Sequence, residues 1–363
     1  MGPLVKAVET RDHPADGQSG RRRAVTVAAT AVKREMHPWV RAHQDRVGFG
    51  LQVVARPDDP VPAQRVLAAG RLADALGFDA FFLGDHPAYG LEPWLHLGVL
   101  AATTTRVRLG SVVLSAGYRP PVLTARLAAD LDNLSGGRCL LGLGIGWNAS
   151  EFAQLGLAFP PVPARQAALA ETVAIVRGVW GITPFSFHGN YHATVDERVT
   201  PPPVQPAGPP LILAGGGERV ALRLVAEHAD ACNFGPGHAT GLARTPDEVR
   251  HKLGVLRDHC EAVGRPPNQV LRTHFTTWLM LAETERAARA KLDRYYPHGV
   301  NEEQRYSRVA TTPGGAVAYY QALADAGMQY FVVQSLDAAD EETIRLLAEE
   351  VAPRVMVGGD GGK

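Results

Sequence analysis

Asp85 and His86 stand side by side directly after an apolar run, AFFLG, and form the first pair of side chains suited to chemistry. A carboxylate can hold an imidazole in one tautomer and raise its proton affinity, so that the imidazole can donate or accept a proton near neutral pH. An Asp-His pair after a strand can also do no more than cap the next helix. The position at a strand end favours the chemical role, with His86 as acid or base and Asp85 as its partner.

A second stretch, AGGGE, follows another apolar run and opens an amphipathic segment. Glycines allow backbone angles that turn consecutive N–H groups toward one anion, and a helix N-terminus adds to the attraction. A tight turn from strand to helix needs only one glycine, whereas three stand here in a row. The stretch therefore predicts a phosphate site made of Ala214, Gly215, Gly216, Gly217 and Glu218.

The third stretch, LLGLGIGWNASEF at 140–152, has three glycines on alternate positions. It lacks the two-residue gap before the last glycine of a dinucleotide fingerprint. Glycine weakens a strand unless something lies flat against the backbone, and a planar ring system is such a thing. Asn148 and Glu151 match a helix capping box, N-x-x-E, and Asn148 can in addition hydrogen-bond a heterocycle. Gly146, Trp147 and Asn148 are therefore candidate ring contacts.

These stretches lie on a regular succession of apolar runs and amphipathic helices. The runs are continuous rather than alternating, which is typical of parallel strands covered by helices on both faces. Eight of them predict an α/β fold, a TIM (β/α)8 barrel with insertions. An open doubly wound sheet is the alternative, but its dinucleotide fingerprint normally opens the first unit, and the glycine pattern here is on the fourth. The predicted strands are 47–54, 79–86, 107–115, 138–146, 210–216, 230–234, 270–281 and 329–335.

In a TIM barrel the active site lies at the carboxyl ends of the strands, so residues from distant parts of the sequence meet there. Ser111 and Val112 in the third run and Asn233 in the sixth join the three stretches above as candidate site residues.

Four further segments do not fit the barrel pattern. Residues 1–46 carry nine Lys or Arg against five Asp or Glu and no apolar period, which predicts a flexible basic arm before a barrel at 47–356. Residues 181–209 predict a short hairpin followed by a proline-rich connector. Residues 285–312 are long and polar, which makes them a candidate lid. Residues 357–363 predict a disordered tail.

The composition indicates which kinds of molecule this protein binds. Lys plus Arg and Asp plus Glu both number 37, so no overall basic field attracts nucleic acid. Cys139, Cys232 and Cys260 show no metal-ligand spacing, which favours a reducing compartment, the cytoplasm, and no metal site. No run approaches the roughly 20 apolar residues of a membrane-spanning helix. A small-molecule enzyme is the expectation.

Together these pieces resemble the bacterial luciferase-like family of flavin- and deazaflavin-dependent oxidoreductases. The resemblance covers about Gly48 to Val351. The motifs that carry it are GDH at 84–86, LGSVVL with a following YRP within 109–120, LSGGR with LGLGIGWNASEF within 134–152, PPLILAGGG at 209–217 and ADACN at 229–233.

The resemblance implies that reduced FMN, or the deazaflavin F420, lies at the carboxyl ends of the strands. Ser111 and Val112 would run behind its ring near a non-prolyl cis peptide, and Asn148 would approach the ring edge. The 214–218 loop would take the phosphate, and His86 matches the family position that serves as acid or base. The family often has an aromatic residue after its Asp-His pair, where this chain has Pro87.

The expected function is an FMNH2-dependent monooxygenase that oxygenates a hydrophobic or polycyclic organic substrate with O2, acts as a homodimer and receives reduced flavin from a separate reductase. FMN is favoured because no basic cluster is evident near 214–218 to hold the longer anionic tail of F420. An F420-dependent hydride-transfer enzyme is the alternative. A non-catalytic flavin-binding subunit is the second alternative.

Overall fold

The computed structural model of the chain describes residues 35–55, 59–276, 278–302 and 304–358. Eight parallel strands close into a barrel, in the order β1-β12-β9-β8-β7-β4-β3-β2 around it. The TIM barrel is therefore confirmed, and each of the eight predicted runs contains a barrel strand. The strands are β1 Gly48–Val53, β2 Ala80–Leu83, β3 Arg108–Ser115, β4 Cys139–Gly144, β5 Phe185–His188, β6 Ala193–Glu197, β7 Leu211–Ala214, β8 Ala231–Phe234, β9 Leu271–Thr276, β10 Leu279–Leu281, β11 Val309–Thr311 and β12 Tyr330–Ser335.

Helices surround the barrel, and their ends follow the local sequence. Proline, whose missing N–H costs nothing in a first turn, begins six of them. Gly77 and Gly136 end α2 and α4 with φ of 81° and 65°, angles that glycine adopts without a steric penalty. The helices are α1 Pro38–Arg41, α2 Pro62–Leu76, α3 Pro93–Thr103, α4 Pro121–Ser135, α5 Ala149–Gln154, α6 Val162–Val179, α7 Ala221–His228, α8 Pro246–Ala262, α9 Glu285–Tyr295, α10 Pro313–Asp325 and α11 Glu341–Leu346.

Helix α4 packs with a face that the sequence did not predict. The spacing of its leucines predicts that Leu123, Leu127, Leu131 and Leu134 are all buried. Leu131 is 3% exposed, but Leu123 and Leu134 are 44% and 62% exposed. The buried face instead carries small side chains, among them Ala125, Ala128 and Ala129. Small residues let a helix approach its neighbours closely, so the leucines are left on the outside.

Part of the predicted N-terminal arm is packed against the barrel. Helix α1 precedes β1, and its Trp39 and Val40 are fully buried. The Trp39 ring lies edge-on to Tyr330 at the start of β12, with ring centroids 5.6 Å apart. The prediction of a flexible arm is therefore wrong for the residues of α1. Residues 1–34 of the predicted arm and 359–363 of the predicted tail lie outside the described residues.

The two insertions have defined secondary structure. In 181–209, β5 and β6 form the predicted antiparallel hairpin, whose turn is held by three backbone N–H groups that donate to the buried Glu171 carboxylate. The strand predicted at 270–281 is split near Trp278, whose φ of 58° turns the chain out of the barrel. The segment beyond the turn, β10, pairs with β11 of the 285–312 insertion. The mobility of that insertion stays a prediction.

Within the described residues, no helix combines the length and the apolar character that crossing a bilayer requires.

A buried histidine in β9 makes stability depend on pH. His274 is fully buried, its Nε2 lies 3.1 Å from the Ala243 carbonyl oxygen, and burial lowers its pKa from 6.5 to about 4. Between these pH values the unfolded chain binds a proton that the folded chain does not, so stability decreases as pH falls through this window. The full effect is about 3 kcal/mol, at about 1.4 kcal/mol per pKa unit.

We expect His274→Gln to remove most of this pH dependence, since glutamine does not titrate. The measurement is the free energy of unfolding by denaturant at pH 7 and pH 4.5. His188→Gln, at an exposed position of the hairpin, is the matched control and should retain the wild-type dependence. Equal pH dependence in wild type and His274→Gln would contradict this role.

Candidate active site

The loops that follow β2, β3 and β4 meet at the carboxyl end of the barrel. His86, after β2, contacts Glu151 of α5, which follows β4. The backbone N–H of Ser115, at the end of β3, donates to Asp85 over 3.1 Å. Trp147, also after β4, lies edge-on to the His86 ring. Two of the three stretches singled out in the sequence therefore form one site.

His86 is held by a buried carboxylate. Its Nδ1 lies 3.1 and 3.2 Å from the two carboxylate oxygens of Glu151, which is 1% exposed. The Tyr118 hydroxyl donates to the same carboxylate over 3.0 Å. Burial and the nearby Glu151 charge raise the pKa of Tyr118, which therefore stays protonated and remains a donor. Because Nδ1 faces Glu151, Nε2 is the ring nitrogen left for a substrate.

Asp85 does not have the predicted role. Its carboxylate accepts two hydrogen bonds from Arg119, of 2.7 and 3.0 Å, in addition to that from Ser115. Asp85 therefore fixes the start of the loop after β3. The carboxylate that contacts His86 is that of Glu151. The predicted capping box between Asn148 and Glu151 is also wrong. The Glu151 side chain contacts His86 and Tyr118 instead of the backbone N–H of Asn148.

Two exposed aromatic side chains flank His86. The Tyr89 ring stacks on the imidazole at 4.7 Å, and the Trp147 ring lies at 6.0 Å edge-on. Tyr89 and Trp147 are 40% and 58% exposed, although both are large and partly apolar. Tyr89, two residues after Pro87, thus places an aromatic ring on His86. An organic substrate that reaches His86 meets these two rings.

The middle of β3 has the cis peptide that the resemblance implies. The bond between Val112 and Val113 is cis, and the β3–β4 register shifts between Ser111 and Leu114. The Ser111 hydroxyl donates to the Leu83 carbonyl over 2.7 Å, and the Gln52 amide donates to the Val112 carbonyl over 2.6 Å. These bonds tie β3 to β1 and β2. Ser111 and Val112 are buried in the barrel wall.

The glycines of β4 serve close packing against β3. A Cβ on Gly142 would collide with the Ser111 carbonyl oxygen, and one on Gly144 would lie 2.8 Å from a Val113 methyl group. The neighbouring strand, rather than a ligand, therefore lies against these two glycines. Gly146, with φ of 71°, turns the chain toward α5.

Asn148 caps α5, and one of its groups stays available. Its Oδ1 accepts from the Ser150 N–H over 3.1 Å and from the Ser150 hydroxyl over 2.7 Å. Among the described residues, no hydrogen bond uses its Nδ2. An amide donor at the end of a barrel strand fits the edge of a heterocycle.

The AGGGE loop presents backbone N–H groups, although it differs from the prediction in two respects. The N–H groups of Gly216, Gly217 and Glu218 donate to no other residue in the described part of the chain. Such a row suits a phosphate. However, α7 begins only at Ala221, so its N-terminus does not open at the loop. The Glu218 carboxylate accepts from Lys252 over 2.7 Å, and Lys252 also donates to the Gly216 carbonyl over 2.8 Å.

Gly216 is required by a close contact between loops. A Cβ on Gly216 would lie 2.7 Å from the Gly241 Cα, and one on Gly241 would lie 2.5 Å from the Gly216 Cα. Gly241 belongs to the loop after β8. A side chain at position 216 would therefore disturb the fold as well as any phosphate site.

Asn233 faces the barrel interior. It is 2% exposed, and its Oδ1 accepts from the Thr273 hydroxyl of β9 over 2.8 Å. It therefore supports the wall beneath the mouth. Ala214 ends β7, where its backbone pairs with Asn233.

Four residues of this site were missed or misread in the sequence: Glu151, Tyr118, Arg119 and Lys252. Tyr118 and Arg119 belong to the YRP motif, which was a usable signal. Lys252 lies inside α8, and nothing in the local sequence connects it to the glycine loop.

Comparison with curated proteins gives relatives of two kinds. An F420-dependent glucose-6-phosphate dehydrogenase of Microbacterium testaceum is 29% identical over 347 residues, which cover 85% of this chain and 97% of that protein. The pyrimidine monooxygenase RutA of an Enterobacter species is 31% identical over 221 residues, which cover 59% of this chain and 56% of that protein.

Solved structures confirm the fold. An F420-dependent secondary alcohol dehydrogenase in complex with an F420-acetone adduct aligns with a TM-score of 0.71 at 18% identity, over 85% of this chain and 99% of that one. The oxygenating constituent of 3,6-diketocamphane monooxygenase from Pseudomonas putida, in complex with FMN, aligns with a TM-score of 0.69 at 16% identity, over 86% of this chain and 99% of that one.

The sequence profile of the luciferase-like monooxygenase family matches residues 47–353, the whole of the barrel. The resemblance inferred from the motifs is confirmed, and this chain belongs to the luciferase-like monooxygenase family of flavin- or F420-dependent oxidoreductases.

Proposed function

We propose that this chain is a hydride-transfer oxidoreductase that uses F420 and acts on an organic alcohol or carbonyl compound. The observation that carries the proposal is the Glu151–His86 pair at the barrel mouth. Interconversion of an alcohol and a carbonyl moves a proton together with a hydride, and a positioned histidine is a suitable proton carrier. When bound, F420 supplies or accepts the hydride.

The residues present fit such a cofactor. The unpaired N–H groups of the 216–218 loop suit its phosphate, and the Asn148 Nδ2 suits its ring edge. The structure also reveals a cation near the loop that sequence reasoning had not found, Lys252, which is mostly buried. Its charge is partly neutralised by Glu218, 2.7 Å away, so this single lysine suits the phosphate of either cofactor. The relative that matches over nearly its full length is F420-dependent by name.

The residues around His86 have separate roles in this proposed reaction. Glu151 orients His86, and Tyr118 satisfies the second side of that carboxylate, so that Nε2 of His86 is directed to the substrate oxygen. Tyr89 and Trp147 pack on the organic part of the substrate and exclude water. A substrate with an apolar or aromatic portion fits these two rings.

FMN-dependent oxygenation is the second candidate, and a specific observation favours it. A cavity of about 450 Å³ borders the loop after β8, whose Gly241 contacts Gly216, and its lining includes Arg244, Glu248 and Glu302. Arg244 donates to Glu248 over 2.9 Å, so its charge is partly neutralised. A polyanionic tail gains little there, whereas FMN has no such tail. In this case O2 is the second substrate, and a separate flavin reductase supplies reduced FMN.

We also propose a homodimer that forms through α3 and α4. Leu95 and Val99 are exposed one helical turn apart on α3, and α4 exposes Leu123 and Leu134. The two helices are neighbours around the barrel, and large apolar side chains exposed together mark an interface. A symmetric dimer covers the same face of both copies. The three buried, free cysteines suit the cytoplasm, where thiols stay reduced.

The cofactor prediction is tested by offering the purified protein reduced F420 without oxygen, and separately reduced FMN with O2, each with a panel of ketones that carry apolar rings. We expect F420 to be oxidised in step with ketone reduction in the absence of O2. Incorporation of oxygen from O2 with reduced FMN, together with no F420 oxidation, would establish the monooxygenase instead.

Glu151→Gln retains the size of the side chain but removes its charge, so His86 loses its carboxylate partner. We expect kcat to fall by roughly 10², with a smaller loss in Tyr118→Phe. The measurement is steady-state turnover alongside cofactor affinity and thermal stability. Glu92→Gln, which removes an exposed carboxylate on Arg119, is the matched control. Normal turnover in Glu151→Gln would remove His86 from proton transfer.

Leu134→Glu places a charge in the proposed dimer face and should convert the dimer to a monomer. The molar mass measured by light scattering during gel filtration reports the change. Ile182→Glu is the control, because Ile182 is 90% exposed on the hairpin insertion rather than on α3 or α4. A wild-type monomer, or an unchanged dimer in Leu134→Glu, would contradict the proposed interface.

A further inference from the structure

A second cavity lies at the amino ends of the strands, opposite the active site. It has a volume of about 300 Å³ and is bounded by the segment before β1 and by the starts of β2 and β3. Its wall combines apolar surface with charged groups. The lining residues are Trp39, Ala42, His43, Arg46, Phe78, Asp79, Arg106 and Arg108.

The cavity carries excess positive charge. Asp79 is the only carboxylate in the lining described above, and it is already engaged: Oδ1 with Arg46 and Oδ2 with the Phe49 N–H over 2.8 Å. Arg106 donates to two backbone carbonyl oxygens, those of Asp74 and Ala75. The Asp74 carboxylate, which accepts from the Arg106 backbone N–H over 2.8 Å, partly compensates the charge of Arg106.

Arg108 is the least compensated group. Burial lowers its pKa although the charges of Asp132 and Asp79 oppose that shift, and among the described residues no carboxylate lies within ion-pair distance of its guanidinium. Its hydrogen bonds are two long ones of 3.4 Å from Nη1, to the Gly137 carbonyl and the Gln205 side chain. The buried carboxylate of Asp132 is occupied by Gln205 and by the Cys139 N–H. A partly buried guanidinium without a carboxylate partner is unfavourable, and its remaining donors are suited to an anion.

We propose that this cavity binds a small metabolite through a phosphate or carboxylate group, which Arg106 and Arg108 hold against the apolar wall of Trp39 and Phe78. Arg106 and Arg108 lie two positions apart at the start of β3, and both line the cavity. A guanidinium group matches the oxygens of such anions better than a lysine ammonium group does. The volume is at the lower end of the range of small-molecule sites, so the ligand is compact. The site is separate from the mouth and does not depend on the proposed function.

The test is a calorimetric titration of the full chain with inorganic phosphate, citrate or AMP, in chloride buffer at constant ionic strength. We expect at least one of them to bind with a Kd below about 1 mM, and Arg108→Met to weaken it tenfold or more. The quenching of Trp39 fluorescence, which Trp39→Phe removes, should accompany binding. Arg289→Met, at an exposed ion pair on α9, is the matched control and should bind as wild type does.

The relative affinities identify the class of ligand. If AMP binds most tightly, the ligand is a nucleotide; if citrate does, it is a carboxylate metabolite; and if phosphate does, it is the free ion. Arg106→Met serves as a second variant if Arg108→Met does not fold, and thermal unfolding reports which is the case. The proposal is overturned if none of the three binds in this range. It is equally overturned if the arginine variants bind normally while Lys252→Met does not, because the anion would then occupy the mouth.

Discussion

The burial of the Glu151 carboxylate is the constraint on which the active end of the barrel depends. A carboxylate removed from water needs hydrogen-bond donors, and two elements far apart in the sequence supply them. His86 comes from the loop after β2, and Tyr118 comes from the loop after β3. Because Glu151 lies on α5 after β4, this one side chain fixes three successive loops relative to one another. The imidazole position follows from that arrangement.

The barrel itself was predictable because its signal is repeated. Continuous apolar runs mark strands buried on both faces, and each of eight such runs contains a strand. Local backbone detail was not predictable to the same degree. No residue near Trp278 predicts the positive φ at which the chain leaves the barrel, before the end of the strand predicted at 270–281. On α4, Leu131 is buried as its spacing predicts, but Leu123 and Leu134 are exposed because alanines occupy the closest contacts with the barrel.

The site was only partly predictable, and the reason is geometric. Adjacent residues at a strand end point in opposite directions, so Asp85 next to His86 in sequence is not its partner in space. The partner is 65 residues away, and its spacing from Asn148 also matched a local capping motif. The N-x-x-E spacing is explained by a capping box within one helix, so the sequence favours that local role for Glu151. Its contact with His86 joins two loops of the barrel mouth and can be recognised only in the three-dimensional structure. The same holds for Lys252 beside the glycine loop.

The contact between Gly216 and Gly241 has a consequence for how this protein can diverge. Each backbone occupies the space that a side chain on the other would need, so the two positions constrain each other. A larger residue at either one is tolerated only after the opposite loop has moved away. The loops after β7 and β8 are therefore sterically coupled at these two positions, and a side chain added to one of them requires a compensating movement of the other loop.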